Sequence, residues 1–175
     1  MSSPPTTALD ADTAEFIQRR VSIYAAGRDA RNIPVSARAY GCKVSADRRT
    51  LTVFVMRPQA TRLLENVERN QQLAVVFSRP TTHKTVQFKG NDARIVALAP
   101  GDMQLMAEWV GSFVVELALL GFTAPFVHAA FAVPPDEVAA ITFTPAEGFA
   151  QTPGPGAGAR LATAGQQTEA PGSRT

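Results

Sequence analysis

The run Leu51 to Met56 limits the possible folds of this chain more than any other stretch. It follows the turn-forming Asp47-Arg48-Arg49 and stops at Arg57-Pro58, so it is too short for an independent helix. Read as a strand, it puts Leu51, Val53 and Val55 on one face and Phe54 and Met56 on the other. A strand that is apolar on both faces must be covered on both. A barrel interior supplies one cover, and an outer element or a partner subunit supplies the other.

The neighbouring stretches extend this pattern. A short helix capped by Asp10 or Asp12, with Phe16 and Ile17 inward, precedes a strand over Val21 to Ala26 and a turn at Gly27-Arg28-Asp29. A second strand runs from about Ile33 to Val44, with Gly41 marking a bulge or a close backbone approach. Pro58 opens a helix that buries Leu63, Leu64 and Val67 and ends near Asn70. Leu73 to Phe77 reads as a fully buried strand, and Val86 to Lys89 alternates with Val86 and Phe88 inward. Gly90-Asn91-Asp92 turns the chain, and Ala93 to Leu98 continues the sheet.

A long helix is expected over about 102–121, its buried stripe formed by Met103, Met106, Val110, Phe113, Leu117 and Leu120, with Gly121 as its stop. Trp109 reads as a packing residue of that helix, and His128 as a partly buried one. Val138 to Phe143 is a last strand. The expected class is α+β, mainly β: an antiparallel split β-barrel of six or seven strands with about three helices. Residues 1–10 read as a flexible arm, 11–150 as the folded domain and 151–175 as a Gly/Pro-rich tail, disordered after about 160.

Composition excludes several functions. The 175 residues carry a net charge of +2 with arginines scattered along the chain, which does not describe a nucleic-acid surface. Trp109 to Phe122, the longest apolar run, is shorter than a bilayer span and contains Glu116. With no leader-like start either, the expectation is a soluble, cytoplasmic protein. Cys42 is the only cysteine, and His83 and His128 have no second ligand at metal spacing, so no metal site is expected. Nucleophile-elbow, phosphate-loop and dinucleotide-fold glycine motifs are all absent.

What remains are cations and hydroxyls at strand ends and at one helix start. Arg38 lies inside the second strand, where a half-buried guanidinium needs a partner and a bound phosphate is one. Ser36 and Tyr40 flank it two positions away, on the same expected face. Arg57 closes the third strand, and Thr61 and Arg62 occupy the first turns of the following helix, a position suited to anions. His83, Lys84 and Thr85 precede the fifth strand.

In sequence order, Pro34-Val35-Ser36-Ala37-Arg38, the strand ending at Arg57, the helix to Asn70, Leu73-Ala74-Val75-Val76-Phe77 and Lys84-Thr85-Val86-Gln87-Phe88-Lys89-Gly90 resemble the pyridoxamine 5′-phosphate oxidase-like FMN-binding split barrels. The resemblance covers about 20–100, and residues 151–158 also look like the tail of an uncharacterised branch of that family. It implies a homodimer holding FMN between subunits, with Arg38 near the phosphate or ribityl chain and Thr61-Arg62 at the phosphate. It also implies Lys84-Thr85 where the oxidases carry an Arg-Gln pair that touches flavin. Leu63 stands where those enzymes have a lysine, and their tryptophan and Arg-Pro ending is missing, so vitamin B6 oxidation is not the implied activity. The expected function is FMN-dependent transfer of hydride or electrons between NADH or NADPH and a small acceptor. The alternatives are a non-catalytic flavin carrier or sensor, or a split barrel binding deazaflavin or haem.

Overall fold

The computed structural model describes residues 8–161. The expected flexibility of residues 1–7 and disorder from 162 onward lie outside the described residues. The chain runs α1 (Ala11–Gln18), β1 (Ser22–Arg28), β2 (Pro34–Val44), β3 (Leu51–Met56), α2 (Arg57–Asn70), β4 (Leu73–Ser78), β5 (Thr85–Gly90) and β6 (Arg94–Val96). It continues with α3 (Asp102–Ala118), α4 (Ala124–Ala130), a 3-10 turn at Pro135–Glu137, β7 (Val138–Phe143) and β8 (Glu147–Ala150). The strands form one sheet in the order β6-β7-β3-β2-β1-β4-β5-β8, every neighbouring pair antiparallel. The edge strands β6 and β8 do not pair with each other, so the sheet coils without closing.

Among the described residues, eight strands and four helices exceed the expected six or seven and three. The extra elements are short: β8 is four residues and α4 seven, too brief for a readable period. Other boundaries also move. The first turn begins at Asp29, whose carboxylate accepts from the amides of Arg31 and Ile33, so Gly27 and Arg28 belong to β1. β4 alternates between buried and half-buried rather than being buried throughout, because only one of its faces is covered. β6 keeps only the middle of the expected Ala93–Leu98 stretch.

β3 has the cover that its composition demands. Leu51, Thr52, Val53, Phe54 and Val55 are all buried. Their inner side joins Ile23, Val75, Phe77, Phe88 and Ile141 in the core, with Leu63 and Val67 of α2 packed beside them. Phe54 points the other way, into the space at Gly41 that Leu105 and Met106 of α3 also line. The outer cover is therefore a helix of the same chain. Gly41 has φ +145° and sits where the β2–β3 register shifts, the bulge that a glycine in mid-strand suggests.

The packed line of α3 is Asp102, Met106, Trp109, Phe113 and Glu116, rotated from the expected stripe. Met103, Val110 and Leu117 are half-buried and Leu120 is exposed. Trp109 packs as expected, stacked on Phe113 at 5.2 Å with Phe131 edge-on at 5.6 Å. Such a bulky wedge turns the helix toward the sheet on the tryptophan side. The helix stops at Ala118, and Gly121 (φ +87°) follows as its left-handed stop, with Phe122 N–H bonded to the Leu117 carbonyl and Gly121 N–H to Ala118.

The Gly/Pro-rich segment turns back on the sheet. Gly158 N–H reaches the Ala150 carbonyl, Phe149 bridges Arg160, and Arg160 pairs with Glu147 at 2.7 Å. Among the described residues, no helix is long and apolar enough to cross a membrane.

Candidate functional site

Among the described residues, no helix covers most of the outward face of β2-β1-β4-β5. Strand register decides which side chains meet there. Tyr24 faces Arg38 across the β1–β2 ladder, Val76 lies beyond Tyr24, and Gln87 beyond Val76. Tyr24 is 43% exposed although it sits at the centre of a strand.

Arg38 is half-buried on this face. Its Nη2 donates to the Tyr24 hydroxyl at 3.3 Å, and its guanidinium carbon lies 4.9 Å from the centre of the Phe131 ring and 5.9 Å from that of Tyr24. Aromatic faces orient the cation. No carboxylate among the described residues pairs with it, so most of its donors remain free for an anion. Ser36, exposed, lies two residues along the same strand opposite Ala26.

Tyr40 meets the same Phe131 ring as Arg38. It is buried, packs 6.0 Å from the Phe131 ring and donates its hydroxyl to Gln59 Oε1 at 2.9 Å.

The α2 residues are only partly available. Arg57 donates Nε to the Val138 carbonyl at 3.2 Å, and Thr61 turns its hydroxyl back to the Arg57 carbonyl at 3.0 Å. The Thr61 proton is therefore spent inside its own helix. Arg62 is exposed and makes no hydrogen bond or ion pair among the described residues. It lies near enough to Asp29 to help hold that carboxyl below its usual range, behind the larger effect of the Ile33 amide.

The third group stands apart. β5 is three strands from β2, roughly 14 Å at ordinary strand spacing. His83 is exposed with φ +57°, and Lys84 Nζ lies 4.5 Å over the Phe16 ring of α1. Thr85 bonds the His83 carbonyl and Ser78, and its amide donates to Thr152. These residues do not join the Arg38 cluster of their own chain.

Sequence reasoning missed Tyr24, Gln59 and Phe131. Placing the hairpin turn at 29–33 rather than 27–29 would have set Tyr24 opposite Arg38, whereas Phe131 arrives from α4 through tertiary packing alone. His128 is exposed, because α4 buries only Val127. It borders a cavity of about 250 Å³ behind Phe131 and Tyr40. A cavity of about 590 Å³ opens at the end of the uncovered face, among Ala26, Arg28, Ala74, Lys89 and Glu147. Two buried side-chain donors have no partner among the described residues, Arg79 Nε and Trp109 Nε1.

No family model and no curated protein matches this sequence. Solved structures do. A Lactobacillus delbrueckii protein described as a pyridoxamine 5′-phosphate oxidase aligns over 86% of this chain and all (100%) of its own, with 15% identity and a TM-score of 0.52. HupZ of Group A Streptococcus aligns over 86% of this chain and 99% of its own, with 17% identity and a TM-score of 0.50. At such identities the likeness concerns the fold, which is that of the pyridoxamine 5′-phosphate oxidase-like proteins.

Proposed function

We propose that this chain, with its pyridoxamine 5′-phosphate oxidase-like fold, binds FMN against the uncovered face of β2-β1-β4-β5. The observation that carries the reading is Arg38: a half-buried guanidinium held in place by Tyr24 and Phe131, with no carboxylate among the described residues to neutralise it. A phosphate monoester suits it in charge and geometry. Ser36 adds a hydroxyl, and the exposed ring of Tyr24 beside Val76 offers a flat apolar surface of the kind a tricyclic ring system covers.

One chain leaves this face open on the side away from the sheet. A second copy would close it and bring its own His83, Lys84 and Thr85 toward the site, which is why those residues can be remote from Arg38 within one chain. The bound flavin would supply the redox chemistry between a nicotinamide donor and a small acceptor. The protein's part is binding, orientation and exclusion of water. Arg38 would anchor the phosphate and Tyr24 would hold the guanidinium in place. No general acid or base is required of the chain.

The test is an absorbance spectrum between 300 and 600 nm after FMN is added and unbound flavin removed. Flavin bands should stay with the protein, and Arg38→Ala should weaken FMN binding by about tenfold or more. Unchanged affinity in that variant removes this site. Retention of a deazaflavin in place of FMN would redirect the cofactor assignment. Oxidation of NADH or NADPH by the loaded protein separates an oxidoreductase from a flavin carrier.

A further inference from the structure

A second cleft, of about 500 Å³, lies between α1, α3 and the far end of β2. That volume is typical of small-molecule sites. Leu105 and Trp109 of α3 line one wall, Ala14 of α1 another, and Val44 of β2 the floor. The apolar surface is bordered by four charged side chains: Glu15, Arg19, Arg48 and Glu108.

All four side chains are exposed. None takes part in an ion pair among the described residues, and Glu108 alone has a side-chain partner, the neutral Gln104. Exposed side chains gain little from pairing with one another, which leaves all four available to a ligand. Glu15 sits on α1, Arg19 just after it, Glu108 on α3 and Arg48 in the turn after β2. Trp109 contributes a buried indole N–H with no acceptor among the described residues.

We propose that this cleft binds a small zwitterion, an amino acid with a large apolar side chain or an apolar dipeptide. Arg19 and Arg48 take the carboxylate, Glu15 and Glu108 the ammonium group, and the surface of Leu105 and Val44 the apolar part. A simple anion would leave both glutamates uncompensated, and a simple cation both arginines. The site is separate from Arg38 and does not depend on the flavin reading.

Isothermal titration of the full chain tests it, with L-phenylalanine and phenylalanyl-phenylalanine as probes. Phenylpropionate and phenethylamine serve as analogues that keep one charge each. At least one zwitterion should bind, with each single-charge analogue about tenfold weaker or worse. Arg48→Gln and Glu108→Gln should each lower that affinity about tenfold while leaving the thermal midpoint of the ligand-free protein unchanged. Equal binding of a single-charge analogue overturns the zwitterion assignment. Binding that survives both substitutions overturns the location, and no binding by any probe overturns the proposal.

Discussion

At the scale of single residues, position decides what each polar group can still do. Arg38 and Arg57 are the same amino acid near the same end of the sheet. Arg57 gives its Nε to the Val138 carbonyl, while Arg38 rests between two aromatic rings with its donors largely free. Cys42 shows the opposite outcome for a reactive group. It is fully buried, and burial pushes its thiol far above the usual range, so the nucleophilic thiolate is suppressed. The native protein should resist alkylation by iodoacetamide at neutral pH and react stoichiometrically once denatured, as mass spectrometry would record. Rapid labelling of the native state would show that the cleft beside Cys42 opens.

At the scale of elements, short local signals fix where helices begin and end. Asp10 caps α1 by accepting from the Thr13 amide at 2.8 Å and the Thr13 hydroxyl at 2.7 Å. Partial burial pushes its carboxyl up, but the hydrogen bonds from Thr13 together outweigh that and leave it below its usual range. Asp10→Ala should cost about 1 kcal/mol of stability at neutral pH, measured by urea unfolding. Because the folded-state pKa is depressed, the carboxylate's contribution is complete above the unfolded value and is lost as pH falls through the folded one. The gap between parent and variant should therefore narrow in acid. A gap that widens in acid would contradict the capping role. α3 was harder to read, since its apolar residues are so many that periodicity left the buried side ambiguous. Trp109 and Phe113 packing on Phe131 settled it.

At the scale of the whole molecule, the sheet is covered unevenly. α2 packs on the inner side and α3 on the outer side near β2 and β3, while the outer side of β1, β4 and β5 carries Tyr24, Val76 and Gln87 without a helix above them. The dimer proposed above uses this face. Sedimentation velocity should give twice the monomer mass, and Tyr24→Glu should shift the protein toward monomer and weaken FMN binding together, since the partner closes the site. A monomeric parent protein would remove the dimer, and a Tyr24→Glu dimer with unchanged FMN affinity would place the interface elsewhere.

Much of this architecture was legible in the residues themselves. Alternation gave β5, two-sided apolarity gave a β3 covered on both faces, Pro58 gave the start of α2, and Gly41 gave the bulge. These signals are local, because side-chain periodicity and backbone restrictions act over a few residues. Arg38 was also singled out locally, as a cation where a half-buried strand has no room for one unpaired. Its setting was not. Tyr24 depended on a hairpin register that a two-residue misplacement of the turn obscured, and Phe131 on how α4 folds back over β2. The separation of Lys84 from Arg38 within one chain came from strand order, which places β1 and β4 between β2 and β5. The sequence by itself determined most of the elements, though not the short β8 and α4, and the candidate cation. Only tertiary packing, which joins residues through long-range burial rather than local period, decided which side chains surround that cation and which remain apart from it.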